Sequence, residues 1–203
     1  MRHDLFVLLF ALLAPLTLTG GFHCYYSDSD SDIDRIIIDD DNELIVIVSS
    51  RKQQQTPIEG LEVVFSDSES QTDSNGRVVV PRNSNSDFYI GDIFLGSTSI
   101  NDGLVGVEQI VGREADDSIV PVNVLRLLLS LDRFRSDTRI TIPTAVNRTA
   151  SLQNPQTAVY IEALDFADTE AFENAATNLL ALLTVDYPFT TELVAVEAAE
   201  DEF

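Results

Sequence analysis

Hydrophobic and polar positions alternate in short bursts through the first half of the chain and then settle into a longer period. In "RIIIDDDNELIVIV" (35–48), two β-branched runs flank an acidic "DDDNE", which predicts two strands and a turn. "SSRKQQQTP" (49–57) is polar throughout and reads as a loop. "IEGLEVVF" (58–65) is a strand, "SDSESQTDSNG" (66–76) turns the chain, and "RVVVP" (77–81) returns it. Asn75-Gly76 accepts the positive φ that a tight hairpin needs. "DFYIGDIFLG" (87–96) supplies one or two further strands, with Gly91 marking a bend or bulge.

The second half is helical in period. In "IVPVNVLRLLLSLD" (119–132), Val122, Leu125, Leu128 and Leu129 share a face that Leu127 and Leu131 widen. A helix apolar over most of its circumference belongs at the centre of a core. Pro121 suits a first turn. "RITI" (139–142) reads as a strand, and "TAVYIEAL" (157–164) as a strand or a short helix. "DTEAFENAATNLLALLTV" (168–185) is the clearest helix: Asp168 or Thr169 caps it, and Phe172, Ala175, Ala176, Leu179, Leu180 and Leu183 keep helical spacing. The predicted class is α+β. A small antiparallel, β-sandwich-like N-terminal unit (35–100) packs with a mainly helical portion of the same globule (101–203).

The start of the chain has a different pattern. Arg2 precedes the apolar run "LFVLLFALLAPLTL" (5–18), which is too short for a bilayer span of roughly 20 residues and is interrupted by Pro15. The small residues Thr19, Gly20 and Gly21 follow, so residues 1–21 read as a signal peptide cleaved after Gly21. Export to the periplasm, outer membrane or extracellular space is the expectation. Residues 22–34 then form an acidic tether too polar to pack.

Composition sharpens this picture. Among 203 residues, 34 acidic side chains face 12 basic ones, a formal charge of −22. Such a field repels phosphate backbones and anionic membranes, which argues against nucleic-acid partners and leaves a lipid anchor as the one route to a membrane. An Asp-rich surface whose only lysine is Lys52 stays hydrated in salty water. Cys24 is the only cysteine, so a disulfide framework is excluded. It is either the acylated residue of a lipoprotein or a plain thiol in the leader. His23, bulky where a lipobox has a small residue, weighs against the first reading.

Both histidines, His3 and His23, lie in or beside the leader. That removes Ser-His-Asp and Cys-His nucleophiles and imidazole or thiolate zinc sites from the folded body. Carboxylate chemistry remains. Asp28, Asp30, Asp32 and Asp34 alternate like the start of an EF-hand loop, but Ile33 stands where glycine is needed. Asp39 and Asp41 in "DDDNE" make a second candidate for calcium. The competing reading of both runs is a solvated acidic stretch, and no other cofactor is expected. Asp92 follows a glycine within an apolar strand and reads as partly buried and bonded to backbone amides. Asn123 and Asp132 bracket the first long helix and read as caps.

The order "PIEGLEVVFSDSESQTDSNGRVVV", "FYIGDIFLG", "VNVLRLLLSLD" resembles a recurrent module of exported gammaproteobacterial lipoproteins and adhesin-like proteins. The match covers residues 57–142 and is most specific at Gly91-Asp92, Leu95-Gly96, Asn123 and Leu131-Asp132. The hairpin is also similar to the carboxypeptidase-regulatory, transthyretin-like β fold. Where that module continues "L-D-x-D-G-D", this chain has "LDRFRSD", with Arg133 and Arg135 in the gap. The resemblance implies an envelope module and carries no activity over; with no histidine or cysteine in the folded body, the expected role is that of a non-enzymatic envelope or secreted module, structural or adhesive, with an envelope or extracellular partner. A calcium-dependent binding domain is the alternative, and a carboxylate hydrolase the third reading.

Overall fold

The computed structural model describes residues 43–50, 56–112, 119–134, 138–189 and 191–201, all within the unit Arg35–Phe203. The protein is α+β. Strand β1 (Glu43–Ser49) pairs antiparallel with β5 (Arg77–Pro81) and parallel with β8 (Leu104–Gly106) to make a three-stranded sheet. A four-stranded antiparallel sheet follows the order β4-β3-β6-β7. Its strands are β3 (Glu62–Phe65), β4 (Ser68–Gln71), β6 (Asn85–Ile90) and β7 (Ile93–Ser99). A short parallel pairing joins β2 (Ile58–Glu59) to β9 (Ile140–Thr141) and ties the strand-rich half to the helical half.

Alternation along β6 explains how the larger sheet is oriented. Ser86, Phe88 and Ile90 point inward and are buried, while Asn85, Asp87 and Tyr89 point outward. In β7 the period slips: a bulge beside Phe88/Tyr89 places Tyr89 opposite Phe94, so Leu95 and Gly96 are both buried. The inner face contributes Val63, Phe88, Ile90, Ile93 and Leu95 to one continuous buried cluster.

The helices complete that cluster. They are α1 (Val107–Ile110), α2 (Ile119–Leu131), α3 (Thr144–Thr149), α4 (Pro155–Glu162), α5 (Thr169–Leu183) and α6 (Val196–Glu200). Val124, Leu125, Leu127, Leu128 and Leu131 of α2 are fully buried, each contributing about 1.5–3 kcal/mol of transfer free energy. Helix α5 packs against α2 through Phe172, Ala176, Leu179 and Leu180. It starts at Asp168, whose Oδ1 accepts from the N–H groups of Glu170 and Ala171 at 3.0 Å each.

A polar clasp holds the chain's last elements to α2. The Arg126 guanidinium, 4% exposed, donates to Val194 O at 2.7 Å, to Asn123 Oδ1 at 3.0 Å and to Glu173 Oε1 at 2.7 Å. It also lies over the Phe172 ring, 5.4 Å from the centroid. Ser130 Oγ accepts from Val194 N at 2.9 Å, and the Tyr187 hydroxyl donates to Leu131 O at 2.6 Å. Each of these acceptors thereby has a partner.

Two local expectations are corrected, and one that left two alternatives is decided. The segment 66–76 is not only a turn: Ser68–Gln71 is edge strand β4, invisible to hydrophobic alternation because it carries no apolar residue. Two of the pairings, β1 with β8 and β2 with β9, are parallel rather than antiparallel. Residues 157–164 are resolved in favour of a helix, α4, with Pro155 at its first position and Asn154 Oδ1 accepting from Gln156 N at 3.1 Å.

Candidate functional site

The turn between β6 and β7 is where the sheet meets the helical half. Gly91 has φ +56°, and a Cβ there would run into the carbonyl oxygens of Asn147 and Ala150. Its neighbour Asp92 donates its backbone N–H to Ala150 O at 2.7 Å. The Asp92 carboxylate accepts from Ser151 Oγ at 2.9 Å and from Leu152 N at 2.6 Å. The turn therefore docks against the C-terminal end of α3. Asp92 does bond a backbone amide, but it is exposed rather than partly buried, because it lies at the tip of the turn and not within the strand.

A second contact fixes the same helix from the other side. Asn147, 5% exposed, donates Nδ2–H to Gly60 O at 2.8 Å. Its Oδ1 is buried and has no hydrogen-bond partner. The Asn147 side chain is thus folded away, with its amide nitrogen already engaged.

Between these contacts lies an open cleft of about 400 Å³. Glu62 on β3, Glu69 on β4, Tyr89 on β6, Asp92 on the turn, and Asn147 and Arg148 on α3 line it. Val64 and Ala150 add apolar surface. Register explains the arrangement: Glu62 faces Gln71 on one side and Tyr89 on the other, and Val64 faces Glu69. Glu62 and Glu69 are therefore diagonal neighbours on one face, a geometry that sets Cβ atoms roughly 7–8 Å apart. Among the described residues, no group of three carboxylate, imidazole or thiol side chains gathers as one metal ion would require.

The cleft is electrostatically unbalanced. Burial pushes the Glu62 carboxyl above its ordinary value, and the nearby Glu69 and Asp92 push it further; the Gly91 N–H, donating to it, pulls the other way. Tyr89 is likewise raised, by burial and by Asp87. Arg148 is exposed and forms no ion pair with a described residue. Beyond the cleft the outer face continues with Phe94, half exposed, whose ring lies 5.3 Å from Tyr89, and with the polar pairs Asp87–Ser97 and Asn85–Ser99.

Apart from Asp92, the residues singled out from sequence fall elsewhere. Cys24, Asp28, Asp30, Asp32, Asp39 and Asp41 lie outside the described residues. Asn123 is not a cap: it lies inside α2, bridging Arg126 and Phe166 O at 3.0 Å each. Asp132 follows the same helix and accepts from Phe134 N and Thr141 N at 3.1 and 2.9 Å, so it fixes the loop that leads to β9. Sequence reasoning missed Glu62, Glu69, Asn147 and Arg148. Only the outward positions of the "IEGLEVVF" alternation pointed to Glu62. Among the described residues no helix is long and apolar enough to cross a membrane. No protein family, curated protein or solved structure matches the chain.

Proposed function

We propose that the folded body is a non-catalytic binding module of an exported envelope or secreted protein, of the adhesin-like kind that its motifs resemble. The observation that carries this reading is the open outer face of the four-stranded sheet, which ends in the carboxylate-lined cleft. An aromatic pair, Tyr89 and Phe94, sits beside acceptor-rich side chains on that face. Such a surface offers stacking area and hydrogen-bonding groups to an envelope or extracellular partner. Sequence supports the absence of catalysis, since no histidine or cysteine follows Cys24. The apolar leader and acidic tether support export.

Labelled full-length protein added to isolated cell envelopes tests the idea. Saturable attachment that drops in Phe94→Ser is expected, whereas attachment insensitive to that change refutes it.

One observation favours a second reading, a carboxylate hydrolase acting on glycosides. Glu62, raised, shares the cleft with Asp92, and two carboxyls in unlike environments are the elements of acid and nucleophile. Turnover of a glycoside panel, abolished in both Glu62→Gln and Asp92→Asn, would establish it in place of the first.

A further inference from the structure

We propose that strand β4 is a docking edge that takes an extended, basic peptide segment of a partner protein as a fifth antiparallel strand. The inference rests on the binding-module reading and names the kind of partner.

The backbone carries it. Hydrogen-bonded and non-bonded pairs alternate along an antiparallel ladder. Thr72 N donates to Leu61 O at 2.9 Å, which makes Val63–Ser70 and Phe65–Ser68 the bonded pairs between β3 and β4. The N–H and C=O groups of Glu69 and Gln71 therefore point away from β3, along the open side of the sheet. Among the described residues, these backbone groups meet no partner.

Other edges are closed by devices that β4 lacks. On the far side of the same sheet, β7 packs against α1, and a Cβ on Gly96 would run into Ile110 O. In the three-stranded sheet, edge strand β5 carries Pro81, which has no N–H to offer. Its Arg77 is also tied inward: Asp73 N donates to Arg77 O at 3.0 Å, and Arg77 N donates to Asp73 Oδ1 at 2.9 Å. Strand β4 has no proline, and its Ser68, Glu69 and Gln71 are exposed. An edge left in that state is a template for another strand.

Charge decides which strand. In an added antiparallel strand, the residues opposite Glu69 and Gln71 are two apart, about 6.8 Å along the chain, and their side chains lie on the outer face. There one meets Glu69 directly and the other diagonally, next to a cleft where three carboxylates face one guanidinium. Arginine or lysine at those alternate positions completes the pairing. A second copy of this chain does not, because it brings its own Glu69 and a formal charge of −22 to the same edge.

The test is NMR titration and amide hydrogen exchange of the full-length protein with a capped five-residue peptide of alternating threonine and arginine, threonine at both ends. Saturable binding is expected, with exchange slowed at Glu69 and Gln71 and unchanged at Ser68 and Ser70, whose amides already bond β3. N-methylation of both arginine amides removes the donors aimed at β4 and should weaken binding about tenfold or more, whereas N-methylation of the central threonine should leave it within about threefold. Glu69→Lys should weaken binding about tenfold, and Asp186→Lys, at an exposed site outside β4 and the cleft, no more than about twofold.

Equal weakening by the two N-methylated peptides, or by the two lysine variants, would reduce the effect to non-specific attraction and overturn the proposal. So would an absence of saturable binding, or amides of Glu69 and Gln71 already protected in the free protein, which would place another segment or a second copy on the edge. Envelope attachment that stays sensitive to Phe94→Ser while the peptide fails to bind would remove the strand addition and leave the binding-module reading standing. Attachment insensitive to that change, together with a peptide that fails to bind, would remove both.

Discussion

Replacing Gly91 by alanine should separate the sheet from α3. The backbone there sits at φ +56°, which costs an L-residue about 1–2 kcal/mol. Reduced freedom of the unfolded chain offsets about 0.4–1 kcal/mol of that. The larger effect is steric, because the new methyl points at two carbonyl oxygens of α3 and its following turn. Backing the turn away gives up the Asp92 N to Ala150 O bond, worth about 0.5–1.5 kcal/mol net. It also gives up the carboxylate contacts to Ser151 and Leu152, about 1–2 kcal/mol at an exposed position. The expected loss is about 3 kcal/mol, or roughly 6–12 °C in Tm for a chain of this size.

Gly112 provides the control. Its φ is +66° with nothing within 4 Å of an added Cβ, so Gly112→Ala should cost only the backbone part, about 1 kcal/mol. Urea denaturation of Gly91→Ala, Asp92→Ala and the double variant completes the test. Gly91→Ala already breaks the bonds that Asp92→Ala removes, so the double variant should fall short of additivity by about 1–2 kcal/mol. Equal costs at Gly91 and Gly112, or strict additivity with Asp92, would refute the docking argument.

The Glu62 carboxyl is raised in the fold, so the native state holds its proton more tightly than the unfolded chain. The resulting penalty is absent below the ordinary glutamate range, grows as pH rises toward the folded value, and is fully present above it. Glu62→Gln should therefore stabilise the protein at pH 8, with the gain shrinking toward pH 4.5, as read from denaturation midpoints across pH. Arg126→Ala strips the partners from Val194 O and Asn123 Oδ1 and should cost about 3–5 kcal/mol by urea denaturation. Glu173→Ala leaves the guanidinium its other acceptors and should cost less, about 1–3 kcal/mol. Leu128→Ala, at the fully buried centre of α2, should cost about 2–5 kcal/mol in the same assay.

What could be read from the sequence was whatever buries apolar surface with a regular period. Helix α5 was legible because one face repeats Phe172, Ala176, Leu179 and Leu183 above a capping aspartate. Strands β3, β5 and β6 were legible from alternation. Strand β4 was not, since Ser68, Glu69 and Gln71 face solvent at a sheet edge and need no apolar partner. The parallel pairing of Ile58 with Ile140 was hidden for another reason: nothing local encodes a contact across so many intervening residues. The cleft escaped for the same cause, because Glu62, Glu69, Asp92 and Asn147 come from four separate elements. In a chain with 34 acidic residues, no single Asp or Glu stands out until the register brings some together.

The clasp on α2 also constrains how the molecule can be made. Arg126 and its acceptor Val194 are 68 residues apart, so a growing polypeptide displays a leucine-rich segment whose guanidinium lacks this acceptor for that entire interval. Secondary structure can form early along this stretch, but the native interior seals only when the region around Tyr187 and Val194 arrives. A chain cut short before that point would keep most of its strands and helices yet expose α2 to proteases and to aggregation.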